Sequence, residues 1–146
     1  MLLGVYGLGM VSGVLLSGRI ARYGILRGII LGQAAIALML ALFGLAVHLP
    51  WLAIVMVFVL GLLPSTLVPL LQTRLMDVAR DGQSLAAALN HSTLNLANAL
   101  GAWLGSLVLA AGLGYEWPSR VGAILAVLGV GIALLSAAVE RARPIR

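Results

Sequence analysis

Apolar residues gather in five stretches, about 1–18, 26–47, 51–73, 85–111 and 120–139, separated by short polar or turn-forming connections. A helix rises about 1.5 Å per residue, so roughly 20 residues cross the ~30 Å hydrocarbon layer of a bilayer. Each stretch therefore predicts a membrane-spanning helix, the first being the shortest. The connections read GRIARYGILR, HLP, DVARDGQ and LGYEWPS. Pro50 and Pro118 fall where a following helix begins, the place where a fixed φ and a missing N–H cost least. No soluble domain or low-complexity linker interrupts the run. The expected fold is all-α, a polytopic membrane helix bundle of five transmembrane helices occupying residues 1–146.

Composition narrows the alternatives. With 146 residues, 62% of them hydrophobic and 9% charged, a soluble domain would lack the interior volume to hide its apolar side chains. The absence of cysteine excludes disulfides, thiolate metal sites and cysteine nucleophiles within the chain. All nine basic residues are arginines and the net charge is +5. In a soluble protein that balance would suggest nucleic acid. Here the arginines occupy short connections between apolar runs, where they orient a membrane protein, and no nucleic-acid partner is expected. MLLGVYGLGM carries no basic residue ahead of its apolar run and does not read as a signal peptide.

The charges then predict a topology. Arg19, Arg22 and Arg27 lie between spans one and two; Arg74 and Arg80 follow span three beside Asp77 and Asp81; Arg141, Arg143 and Arg146 follow span five. The intervening connections hold only His48, or Glu116 with Arg120. Basic and nearly neutral connections alternate, which places the C-terminus in the cytoplasm. Trp51, Tyr115 and Trp117 fall at the outer interface and Tyr23 at the inner one, where amphipathic rings are favoured. Five crossings would put Met1 outside with neither an export signal nor a flanking charge. The chain is accordingly expected to be the C-terminal piece of a longer protein.

Span four departs from the apolar rule. In ALNHSTLNLANALGAW, His91, Asn95 and Asn98 recur at i, i+4 and i+7, one face of a helix. Ser84, Ala88, Ala102 and Gly105 extend the row, and Asn90 and Thr93 flank it. Amides and imidazole facing lipid would each cost a few kcal/mol, so the row should face protein or water. Two readings compete. In one, the polar groups and the Gly101/Gly105 pair bind neighbouring helices together; in the other, the row is a cavity wall that meets a polar solute. Span three carries Pro64 and Pro69, which free backbone carbonyls, and Gly61, Ser65 and Gln72 run along one side of it. Span one is glycine-rich, with Gly9 and Gly13 at close-packing spacing. Spans two and five are nearly uniformly apolar apart from Gln33 and Ser136, and suit the lipid-facing periphery.

No HExxH, GxSxG or Walker sequence occurs, and neither histidine has a carboxylate at ligand spacing. Neither enzymatic activity, nor a metal, nor a cofactor is expected. His48 reads as interfacial. His91 is open to two readings, a hydrogen-bonded neutral side chain or a step in a proton path.

The order of spans and the short loops resemble the major facilitator superfamily, specifically its drug:proton-antiporter-like efflux permeases of the arabinose-efflux and chloramphenicol-resistance types. Those proteins have twelve helices in two halves, with a loop motif G-x-L-A-D-R-x-G-R-R after helices two and eight. SGRIARYGILRG is similar at Gly18, Ile20, Ala21, Gly24 and Arg27, but lacks the acidic residue and is one residue short. The role of that carboxylate therefore has no counterpart here. QSLAAALNHSTLNLANALGAWLG resembles helix eleven. The resemblance covers essentially the whole chain and implies helices eight to twelve, with helix seven and the N-terminal half missing. It implies a secondary transporter of the inner (plasma) membrane exporting a small solute such as a sugar or drug, with proton coupling. Helices eight, ten and eleven would line the cavity, making His91, Asn95, Asn98, Ser65 and Gln72 the candidate solute contacts and Gly9, Gly13, Gly101 and Gly105 the packing positions. The expected partners are the lipid bilayer, a small-molecule solute, protons and the missing half. The alternative is a truncated, non-transporting membrane protein or an assembly component.

Overall fold

A computed structural model describes residues 2–46, 49–114 and 116–142. His48, Tyr115, Arg143 and Arg146 lie outside the described residues. Five long helices follow one another: α1 (Leu2–Tyr23), α2 (Ile25–Ala46), α3 (Pro50–Ala79), α4 (Gln83–Ala110) and α5 (Trp117–Ala142), with a 3-10 turn, Arg80–Gly82, between α3 and α4. All five are long and apolar enough to cross a membrane. The protein is an all-α polytopic bundle.

Helices outrun the apolar stretches that announce them. α1 continues past residue 18 through Arg19 and Arg22 to Tyr23, and α3 continues past residue 73 to Ala79. A helix satisfies its own backbone, so it need not stop where hydrocarbon gives way to water, and arginine stems can lie along it with their heads in the interface. The long connection expected between spans one and two thus shrinks to Gly24, whose φ of +129° suits a residue without a Cβ.

α3 is the hub. α1 packs along it most extensively, α2 lies against both α3 and α5, and α4 touches α3 and α5 more lightly. The α1–α3 seam is a backbone-to-backbone approach. A Cβ at Gly9 would fall on the Phe58 carbonyl, one at Gly13 on the Leu62 carbonyl, and one at Gly61 on the Tyr6 carbonyl. Glycine at these three sites lets the two helices meet where lipid offers no hydrophobic drive for association. The Thr66 hydroxyl sits in the seam, 2.8 Å from the Leu62 carbonyl of its own helix and 3.1 Å from the Gly13 carbonyl across it. Its single proton can serve either acceptor.

On the other side of the hub, Ile29 of α2 packs with Leu67 and Leu70 of α3. Met39 of α2 meets Met56 of α3 in a second buried cluster. α5 closes on α2 where Gly122 faces Leu40 and Gly129 faces Gln33, and the Gln33 amide donates to the Ala126 carbonyl at 3.5 Å. The uniformly apolar α2 is therefore not simply a lipid-facing helix. Its hydrophobicity serves protein on two sides. At the start of α5, Arg120 stacks 5.3 Å from the Trp117 ring centroid and pairs with Glu116 at 3.1 Å.

Pro64 and Pro69 both stand inside α3, which runs unbroken through them. Each lacks the N–H that would bond the carbonyl four residues earlier, Leu60 and Ser65 respectively. Hydroxyls two and four residues after the prolines bond back to nearby carbonyls: Thr66 to Leu62, and Thr73 to Pro69 at 2.9 Å.

Candidate functional site: the polar helix α4

α4 presents two polar faces, and they differ in their surroundings. Only Ala86 and Asn90 of this helix are buried; they lie on the side packed against α3 and α5. His91, Asn95 and Asn98 are exposed, as are Ser84, Ala88 and Ala102 in the same row. A Cβ at Gly101 or Gly105 would have nothing within 4 Å. The row forms an open strip along the helix, and no side-chain hydrogen bond to His91, Asn95 or Asn98 is made among the described residues. The same glycine spacing therefore has two outcomes in one chain: closed at Gly9 and Gly13, open at Gly101 and Gly105.

The remaining candidates are placed elsewhere. Ser65 is half-buried in the α1–α3 seam, its Cβ 3.0 Å from where a Gly13 side chain would begin. Gln72 is half-buried two turns further along α3. Neither shares a hydrogen bond with the α4 row among the described residues. Of the loop-motif positions, Gly18 is exposed and uncrowded, and Ile20 and Ala21 pack against the Ile29–Leu67–Leu70 cluster. Gly24 makes the turn and Arg27 opens the first turn of α2.

Two features of the site go beyond the sequence pattern, which was silent on the first and read the second only as flanking the polar row. The first is an ion pair between Arg74 of α3 and Glu140 of α5 at 2.7 Å, with side chains 24% and 37% exposed. The partners are 66 positions apart in sequence, a pairing that neither periodicity nor charge alternation reveals. The second is Asn90, 9% exposed, whose Nδ2 meets no hydrogen-bond acceptor among the described residues. Asn90 lines a cavity of about 720 Å³ between α3, α4 and α5, together with Leu71, Leu75, Thr93, Ser136 and Glu140. Among the described residues, no group of three or more His, Asp or Glu is placed to hold a metal ion.

A buried amide donor without an acceptor costs about 1–3 kcal/mol. Asn90→Leu keeps the volume and removes the orphan, so it is expected to raise the melting temperature of the detergent-solubilised protein. A fall would mean that the amide has an acceptor in the solubilised protein.

Comparison with known proteins locates this architecture. The chain is 35% identical over 125 residues to the MFS-type transporter YfhI of Bacillus subtilis (strain 168), whose name describes it as uncharacterized; the match covers 86% of this chain and 32% of that protein. It is 39% identical over 134 residues to the inner membrane transport protein YdhP of Escherichia coli (strain K12), covering 90% of this chain and 34% of YdhP. The chain thus spans about a third of the length of the curated relatives it matches. No family model matches. No solved structure matches either. At these identities over nearly its whole length, and with five membrane-length helices in one bundle, the chain is similar to about a third of a major facilitator superfamily transporter.

Proposed function

We propose that the chain forms helices eight to twelve of a twelve-helix major facilitator transporter of the inner membrane, and that the open face of α4 lines its solute cavity. The observation that carries this reading is the strip of His91, Asn95 and Asn98, exposed on a helix long and apolar enough to cross a bilayer. Lipid would leave each of those groups unsatisfied, at a few kcal/mol apiece. A water-filled cavity removes that penalty and gives the groups something to bond. In the complete transporter, helix seven and the N-terminal half supply the opposite wall. The cargo is a small polar or amphipathic solute, such as a sugar or drug, moved outward against protons as this bundle rocks against the other half. The C-terminus lies in the cytoplasm, because the arginine-rich connections fall on that side.

A second reading is favoured by one observation: Gly101 and Gly105 are open on the same helix, as they would be if another helix packed there. In that case α4 is an assembly surface and the polar row bonds a neighbouring helix.

The chain contains no cysteine, so single cysteines report without background. In cells expressing the protein, Asn95→Cys and Asn98→Cys should react with a small hydrophilic thiol reagent, and the reaction should block solute efflux, while Ala86→Cys on the packed face stays unreactive. No labelling at position 95 or 98, together with undiminished flux, would establish the assembly surface instead. For topology, Glu116→Cys should be labelled from outside by an impermeant reagent, and Arg22→Cys and Asp77→Cys only after permeabilisation. The reverse pattern would invert the orientation.

A further inference from the structure

We propose that the cavity where α1, α2, α3 and α5 converge seats the phosphate headgroup of an anionic phospholipid from the adjoining leaflet. The cavity holds about 540 Å³, within the range of small-molecule sites, and Arg27, Arg74, Glu140 and Arg141 all line it. Three guanidinium groups share one carboxylate. Glu140 is engaged by Arg74 at 2.7 Å. Arg27 and Arg141 have no carboxylate partner among the described residues, so two positive charges remain uncompensated in one concavity. Guanidinium is the side-chain group whose fork matches phosphate oxygens in pairs.

Depth selects a lipid over a free anion. Arg27 stands in the first turn of α2 and Arg141 in the last turn of α5, both helix ends and hence at the membrane–water boundary. Deeper along the same two helices the cavity wall turns apolar, at Ile30 of α2 and Ala137 of α5. An inorganic anion has no use for that wall, whereas the glycerol and upper acyl segments of a phospholipid would lie against it. Arg19 and Arg22 belong to the same end of the bundle but do not line the cavity. They make an internal control for diffuse surface charge. The proposal rests only on the chain being embedded in a membrane and stands independently of what it transports.

The test is native mass spectrometry of the purified protein titrated with phosphatidylglycerol or with phosphatidylcholine of the same acyl chains. The wild type should bind phosphatidylglycerol preferentially. An arginine that meets the bound headgroup contributes about fivefold, so Arg27→Gln with Arg141→Gln should weaken binding roughly 30-fold. Arg19→Gln with Arg22→Gln should leave the preference near wild type. All four side chains are exposed, so both doubles should melt like the wild type in phosphatidylcholine. Should the cavity double accumulate poorly, Arg27→Gln alone carries the same test at about fivefold. Competition with inorganic phosphate should displace little of the bound lipid. Equal loss in the two doubles would overturn the proposal in favour of diffuse charge. Full displacement by inorganic phosphate would overturn it in favour of a free-anion site, and absence of any preference in the wild type would overturn it outright.

Discussion

Gly9→Leu or Gly13→Leu is expected to abolish accumulation of folded protein, whereas Gly101→Leu should leave the five-helix unit as stable as the wild type. At Gly9 and Gly13 the new Cβ would coincide with the Phe58 and Leu62 carbonyls, which belong to backbone and cannot rotate aside. α1 would have to withdraw from α3 along its whole length, losing the contact of Thr66 with Gly13 at the same time. Overpacking typically costs about 1–3 kcal/mol, and a backbone-to-backbone clash lies at or beyond the upper end. Against a total stability on the order of 5–15 kcal/mol, that is a large fraction. The measurement is monodisperse yield after detergent extraction, with a thermal melt of what remains. Even Gly9→Ala should lower the melting temperature, since the first carbon is the one that clashes. Normal yield and melting for Gly9→Leu would contradict the close approach of the two helices. Gly101 has open space, so loss of yield there would place its neighbour outside these five helices.

If the open face of α4 lines a solute cavity as proposed, Asn95→Leu in the complete transporter should lower apparent solute affinity about five- to 150-fold in everted vesicles, the equivalent of roughly 1–3 kcal/mol for an unpaired polar group. Extracted yield should hardly change, because the side chain is exposed and fills no packed site. His91→Gln separates hydrogen bonding from protonation: the amide still bonds but does not titrate near neutral pH. If His91 takes part in the proposed proton coupling, His91→Gln should retain solute binding and lose its response to an imposed pH gradient. Unchanged gradient-driven flux would remove His91 from that path. Should Asn95→Leu lose yield while the surviving protein transports normally, the row bonds helices and does not meet solute.

The five spans were legible because a run of some 20 apolar residues has few physical alternatives. Their ends were less so. Residues 19–23 read as a connection from their arginines, yet they are helical, because charge marks the interface and says nothing about where intrahelical bonding stops. Glycine spacing showed which helices are able to approach, but not which do. The pairs at 9 and 13 and at 101 and 105 are alike in sequence, and only the first finds a partner backbone, partly because Gly61 on α3 answers it. Polarity marked α4 as unusual, while the split between exposed Asn95 and buried Asn90 depends on how the helix is rotated against α3 and α5. Arg74 read only as a charge that sets topology and Glu140 carried no reading of its own; the fold alone brings them together.

Gly24 sets a mechanical limit. It alone joins α1 to α2, and a single residue extends at most about 3.6 Å. A slide of either helix by one turn, about 5.4 Å along its axis, exceeds that reach. α1 and α2 therefore act as one hinged piece in any conformational cycle: they can splay about the glycine, but neither can piston past the other without unwinding its own end. Helices α4 and α5, with residues 111–116 between them, have chain length enough for independent axial travel.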